Sequence, residues 1–327
     1  MSALNLPAAP SHEAAPTSAN PTLDASRPAA NDAGKPAEAI ASPFSSLLIP
    51  FAAVHLLALA APFIAGCSWK LVGLAVGVYY ARMAAITIGY HRYFAHKTFK
   101  TSRAFQFVLA FLSQTSAQRG ILWWAAHHRD HHRYSDTEKD VHSPMRGLLW
   151  SHVGWILSTE YSEYDSSRVK DLEKYPELRW LNKWHLVPPV ALAVALFAIG
   201  GWSYLIWGFF VSTVLLWHGT FLVNSLNHLW GTRRYATTDT SRNNALIAVL
   251  TMGEGWHNNH HHYMASANQG FYWWEIDGSF YLIRAFQMLG LVWDVRTAPK
   301  KIVDGTIRAA ERRGEQALPL TSLVEAE

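Results

Sequence analysis

The chain has 327 residues, half of them hydrophobic (50%), and its 28 Lys and Arg against 24 Asp and Glu give a net charge of +4 with a pI near 9.1. Cys67 is the sole cysteine, which excludes an internal disulfide and any cysteine-rich metal site, including a fused rubredoxin or ferredoxin. The apolar residues are bunched into long runs, a pattern that points to a membrane and away from one large soluble core.

Residues 1–46 are rich in Ala, Pro, Ser and Asn without periodicity, and they read as a disordered tail. No basic start followed by a short apolar core precedes a small-residue cleavage site, so the tail is not a secretory signal and the first apolar run is expected to be kept. Four runs follow, 47–66, 71–90, 186–207 and 208–229, each close to the roughly 20 residues of a bilayer crossing. The first pair is linked by residues 67–70. The second is divided only by Gly200 and Gly201, and placing its turn at 200–204 makes the spans 186–199 and 205–229. The expected fold is an all-α integral membrane protein, with four transmembrane helices as two hairpins and a cytoplasmic helical cap. Of the 28 Lys and Arg residues, 14 lie between His91 and His185 and 10 follow Leu229, while the hairpin turns contribute only Lys70. By the positive-inside rule both termini and the polar segments face the cytoplasm. That face accounts for the basic charge without a nucleic acid partner. Residues 105–124 and 273–293 are apolar but interrupted by polar groups (Gln106, Ser113, Gln114, Gln118 and Arg119; Glu275, Asp277 and Arg284), so they are expected to lie on the membrane surface. Arg82 stands in mid-span, where a charge is costly and marks a functional candidate.

The histidines carry the chemistry. AHHRDHHRYSD, residues 126–136, packs four of the chain's 17 histidines into six residues. On a helix, His128, His131 and His132 at i, i+3 and i+4 share a face. His257, His260 and His261 in GEGWHNNHHHY repeat that spacing, and HRYFAH adds His91 and His96. Neutral imidazole suits Zn, Cu, Fe and Ni. Eight histidines exceed the needs of one ion, so the set fits two neighbouring metals. Asn224 and His228, one helical turn apart, could add a ligand and a hydrogen-bonding neighbour. His127 and His262 extend the boxes by one position each and are expected outside the ligand set, as are Asp140 and His142 of DVHSP.

The boxes HRYFAH, HRDHH and HNNHH, with the strings GEGWHNNHHHY and VNSLNHLWG, resemble those of the membrane-bound fatty acyl desaturases, specifically the stearoyl-CoA (acyl-CoA delta-9) desaturase-like branch. The domain is expected over 47–303, with a tail at 304–327. The resemblance implies a di-iron centre held by His91, His96, His128, His131, His132, His228, His257, His260 and His261, with Asn224 reaching one iron through water. It also implies insertion of a cis double bond at the ninth carbon of a saturated acyl chain, with O2 as co-substrate. A separate electron donor of ferredoxin, rubredoxin or cytochrome b5 type is needed, because the chain carries no redox motif of its own. An acyl tail can reach the metals between the hairpins while its polar end stays at the cytoplasmic side.

In the animal enzymes of this branch, basic residues precede the second box and follow the segment matching HVGWIL. Here Ala126, Ser158, Thr159 and Glu160 stand in those places, and these neutral and acidic residues do not replace the basic phosphate contacts. A coenzyme A thioester is the first expectation for the acyl carrier, held by other cations such as Arg129, Arg146 or Arg168, with phospholipid or acyl carrier protein as alternatives. Counting back from His91 at about 100° per residue aligns Thr87, Ala84, Tyr80, Gly77 and Gly73. This stripe is expected to line the acyl tunnel, closed by Tyr80 with Tyr79 beside it. Two rival functions use the same residues: a membrane hydroxylase of alkane or carotenoid type, and a metal transporter or store. Transport sites lie near the bilayer midplane, whereas these histidines lie beyond the span ends.

Overall fold

The computed structural model describes residues 46–306. The expected tails, apart from Ser46 and residues 304–306, lie outside the described residues. The first apolar run forms the helix Leu48–Leu59 and the single turn Ala61–Ala65. The chain leaves that turn at Gly66, whose positive φ of 66° is open to glycine. Ser68 then caps the next helix, Trp69–Ala85, by accepting a hydrogen bond from the Leu71 amide at 3.3 Å. That helix runs on as a π-helix over Ile86–Ala95.

The second pair is a helix, Val187–Tyr204, broken where Gly200 (φ −145°, ψ 20°) and Gly201 (φ 63°, ψ −153°) leave helical geometry. In a straight helix residues 196 and 208 would stand about 18 Å apart. Here a Cβ on Gly208 would lie 3.0 Å from the Leu196 side chain, so the chain has reversed at the expected glycines. The π-helix Leu205–Val211 and the helix Ser212–Asn224 complete the return. Both hairpin turns lie at one end of the bundle: Trp207 Nε1 donates to the Gly66 carbonyl at 2.9 Å, and Ser203 Oγ to that of Ala65 at 3.4 Å. Among the described residues, the stretches Trp69–Ala95 and Val187–Leu229 are long and apolar enough to cross a membrane by length and composition, and Leu48–Leu59 is a shorter apolar helix.

Arg82 has partners, and they are neutral. It is buried, with Nη1 donating to Ser212 Oγ and Thr213 Oγ1 at 2.8 Å each and Nη2 to the Thr115 carbonyl at 2.7 Å. It therefore ties the second and fourth apolar stretches to the end of the next helix.

The cap corrects one expectation. Residues 105–124 are not one surface helix. The helix Arg103–Gln114 ends before the left-handed Ala117 and Arg119, and a new helix starts at Ile121. The break is held by side chains that periodicity cannot reveal. Gln114 Oε1 accepts from the Ile121 amide at 3.1 Å, and Asn182 Oδ1, distant in sequence, accepts from the amides of Leu122 and Trp123 at 3.0 and 3.2 Å. The polar side chains Gln106, Ser113 and Gln114 are buried, donating to Tyr93 Oη at 2.9 Å, the Ala85 carbonyl at 2.7 Å and the Leu181 carbonyl at 3.1 Å respectively. Residues 273–293 likewise divide, into the helix Gly278–Met288 and a short strand, Val292–Trp293, antiparallel to Lys100–Thr101.

The expected tunnel stripe is corrected at its two glycines. Gly73 and Gly77 are exposed with open space where a Cβ would stand, so they face outward. The count failed because Ile86–Ala95 is a π-helix, whose i→i+5 bonds under-wind the chain and change the phase between His91 and the residues before it.

Candidate metal centre

The under-wound turn is what builds the first part of the site. His91 and His96 are five residues apart, which on an α-helix would set them about 140° apart. On the π-helix they are one turn apart, with rings 4.7 Å from centroid to centroid. Arg129 fixes this turn by donating to the carbonyls of Phe94 (2.6 Å) and Ala95 (3.1 Å) while pairing with Asp171 at 2.7 Å.

The second and third boxes sit on the helices Ile121–Tyr134 and His257–His262, and His228 on the short turn Leu226–Leu229. All nine predicted histidines converge, and they do so as two cages: His91, His96, His128, His132 and His260 in one, and His131, His228, His257 and His261 in the other. Each i, i+3, i+4 box is shared between them. The i, i+4 pair His128 and His132 enters the first cage and His131 the second; the pair His257 and His261 enters the second cage and His260 the first. Within each cage one ligating atom per residue lies within 4.8 Å of all the others.

The nitrogen spacing tests whether these cages fit metal ions. In the first, Nε2 atoms follow one another at 3.0 Å (His91 to His260), 3.0 Å (His260 to His132), 3.1 Å (His132 to His128) and 2.9 Å (His128 to His96). A ring nitrogen has either one hydrogen or one lone pair. His260, His132 and His128 each meet two neighbours through that single atom, so hydrogen bonds alone cannot satisfy the chain. Two nitrogens bound at ~2.1 Å to one ion, about 90° apart, stand about 3.0 Å from each other. In the second cage His228 and His257 make the same 3.0 Å approach, and His261 Nε2 is buried without a protein partner. The donor set fits a metal in each cage.

Acidic residues orient the rings. The Nδ1 atoms of His91, His131, His228 and His261 donate to Glu254 (2.5 Å), Asp140 (3.0 Å), Asp136 (3.0 Å) and Asp239 (2.6 Å), which leaves each Nε2 free as a lone pair. Burial, reinforced by the neighbouring imidazoles, holds His128, His132, His257 and His260 well below the usual histidine range, in the neutral form that binds metal. Burial would raise the carboxyl of Glu254, but His91 and Arg92 outweigh it and hold it at about 2. Burial acts likewise on Asp140 and Asp239, and the neighbouring imidazoles of His131 and His261, which donate hydrogen bonds to them, hold both well below the carboxylate range.

His127 and His262 belong to neither cage, whereas Asp140 and His142 form with His131 a third group close enough to hold an ion. His127 Nδ1 donates to the Trp123 carbonyl at 2.9 Å, and His262 stacks on Tyr235 with centroids 4.1 Å apart. His142 packs 4.2 Å from the His131 ring, and Asp140 holds His131. Asn224 is half-buried at the end of its helix, and Ser225 separates it from the turn carrying His228, so the two do not share one continuous helix as their spacing implied.

A sequence model of fatty acid desaturases matches residues 44–288. The chain belongs to the fatty acid desaturase family. It is 38% identical over 253 residues to an sn-1 stearoyl-lipid 9-desaturase of Anabaena variabilis, covering 77% of this chain and 93% of that one. It is 40% identical over 246 residues to the delta-9 acyl-lipid desaturase 2 of Arabidopsis thaliana, covering 74% and 80%. Against the chloroplastic palmitoyl-monogalactosyldiacylglycerol delta-7 desaturase of Arabidopsis thaliana it is 39% identical over 247 residues, 74% of this chain and 66% of the relative. What sequence reasoning missed in this desaturase are three of the four carboxylates, Glu254, Asp136 and Asp239. Glu254 lies three residues before His257 and Asp136 four after His132, so proximity to the boxes could have flagged them. Asp239 lies in an intervening loop and carries no such mark.

Proposed function

We propose that the protein is an oxygen-dependent di-iron desaturase that introduces a cis double bond, at the delta-9 position, into a saturated acyl chain. The observation that carries this reading is the run of Nε2 atoms at 2.9–3.1 Å, which needs a shared cation to be stable. When bound, a pair of irons with dioxygen supplies an oxidant strong enough to take hydrogen from an unactivated methylene. The chain's own part is positional. Nine imidazoles point lone pairs inward, Glu254, Asp136, Asp140 and Asp239 lock four of the rings, and the apolar hairpins bring the acyl chain and exclude water. The all-nitrogen cages separate the protein from carboxylate-bridged di-iron bundles. Asn224 is proposed to reach one of the irons through water.

The hairpins are proposed as four membrane crossings, with termini and metals on the cytoplasmic side where the basic residues lie. The acyl carrier is proposed to be a glycerolipid instead of coenzyme A. The three cations named as candidates for the missing phosphate contacts are engaged: Arg129 with Asp171, Arg168 with Asp130 at 2.6 Å, and Arg146 over the Trp150 ring at 3.4 Å. Relatives named as lipid-acting desaturases support this choice. Electrons come from a separate ferredoxin, rubredoxin or cytochrome b5-type donor.

Expression in a host lacking its own desaturase, followed by mass spectrometric location of double bonds, tests the reading. New delta-9 alkenes in glycerolipids support it. An alcohol in their place would identify a hydroxylase, and no oxidised product would count against both.

A further inference from the structure

The two cages differ in what stands behind them. In the four-histidine cage, three of the rings are backed by carboxylates, Asp140, Asp136 and Asp239. Each carboxylate is fixed by backbone amides: Asp140 by that of Asp136 at 2.9 Å, Asp136 by that of Thr240 at 2.5 Å, and Asp239 by that of Ser241 at 3.0 Å. Among the described residues, no lysine or arginine pairs with any of the three. In the five-histidine cage only His91 is so backed, by Glu254, and that charge is already met by Arg92 at 3.0 Å. Arg92 in turn holds Asp277 at 2.9 Å. The Nδ1 atoms of His132 and His260 are buried with no protein partner.

Buried charges without a counter-charge are costly. A cation in the four-histidine cage relieves three of them at once, and the carboxylates make its imidazoles more basic donors. A cation in the five-histidine cage meets a surround whose acid is already paired. Ligand count alone would favour five neutral donors over four, so charge and count point in opposite directions. Resting on the dimetal reading above, we propose that charge decides: the four-histidine cage retains its ion, the five-histidine cage is the one that exchanges, and Asp136, Asp140 and Asp239 are positioning residues for the retained ion.

The test is timed removal of metal by EDTA from the full-length, metal-loaded protein in detergent, with ions per chain counted by elemental analysis. The wild type should lose one ion early and a second late. Asp239→Asn and Asp136→Asn, which keep the shape but remove the charge, should weaken the late ion about 10- to 100-fold and leave the early phase unchanged. Glu254→Gln should leave the late phase as it was. His96→Ala should remove the early ion and His257→Ala the late one, which assigns the phases to cages even if an aspartate variant proves unstable. Loss of both ions in a single phase overturns the proposal and leaves the dimetal reading standing. So does a late ion that survives in His257→Ala, or a Glu254→Gln effect on the late phase as large as that of Asp239→Asn. A wild type that never holds more than one ion per chain takes down both.

Discussion

Gly89 is the point where the fold and the site meet, and replacing it with alanine should have a cost that can be worked from the structure. Its π-helix lies so close to the helix Arg103–Gln114 that a Cβ there would stand 2.1 Å from Ser113 Oγ, 3.1 Å from the Leu109 carbonyl oxygen and 3.4 Å from Ser113 Cβ. The serine hydroxyl cannot rotate away without loss, because it is buried and reaches the carbonyls of Ala85 and Leu109 at 2.7 Å each. Giving up that hydrogen bond costs about 0.5–1.5 kcal/mol, and the backbone oxygen must still yield. Overpacking of this kind costs about 1–3 kcal/mol in total. Ser113→Ala removes the closest atom and leaves the 3.1 Å contact with the Leu109 carbonyl oxygen and the 3.4 Å contact with Cβ of residue 113, so the double variant should lose less stability than the sum of the two singles. Thermal unfolding of the four proteins in detergent measures the cycle, and elemental analysis follows the metal that His91 and His96 help to hold. Additive losses, or a Gly89→Ala protein as stable as the wild type, would refute the close approach.

Alanine at His131 or His260 should abolish product, whereas alanine at His127 or His262 should leave most of it, since both lie outside the cages; lipid analysis after expression reads both outcomes. Purified protein with oxygen and substrate alone should be inactive, and turnover with an acidic electron donor should weaken as salt rises, because docking on a basic face is screened; turnover without a donor would contradict this. Arg103 first by its hydrogen bond and then by its charge holds the Glu177 carboxyl at about 2, below the ordinary 4.5. The contribution of that pair is present above pH 4.5 and lost as pH falls toward 2, so Arg103→Ala should reduce the acid dependence of stability in that window, as followed by tryptophan fluorescence.

The hairpins and the nine histidines were legible because each has a strong local signature. Long apolar runs broken at Gly200–Gly201 mark a reversal, and imidazoles repeated at i, i+3, i+4 mark a shared target. The division of each box between two cages was not legible, since helical spacing shows which residues share a face and says nothing of which ion each nearby ring approaches. The π-helix left one clue, the five-residue gap between His91 and His96, and overlooking it misaligned the Tyr80 stripe. Asn182 at the start of the His128 helix and Asp239 behind His261 act across long sequence separations, where periodicity gives no information.

Iron K-edge X-ray absorption on the purified, full-length protein tests the central claim most directly. Two irons per chain, with nitrogen at ~2.1 Å and the outer-shell scattering of several imidazole rings, are the predicted result. A single iron per chain, or a shell dominated by carboxylate oxygen, would contradict it.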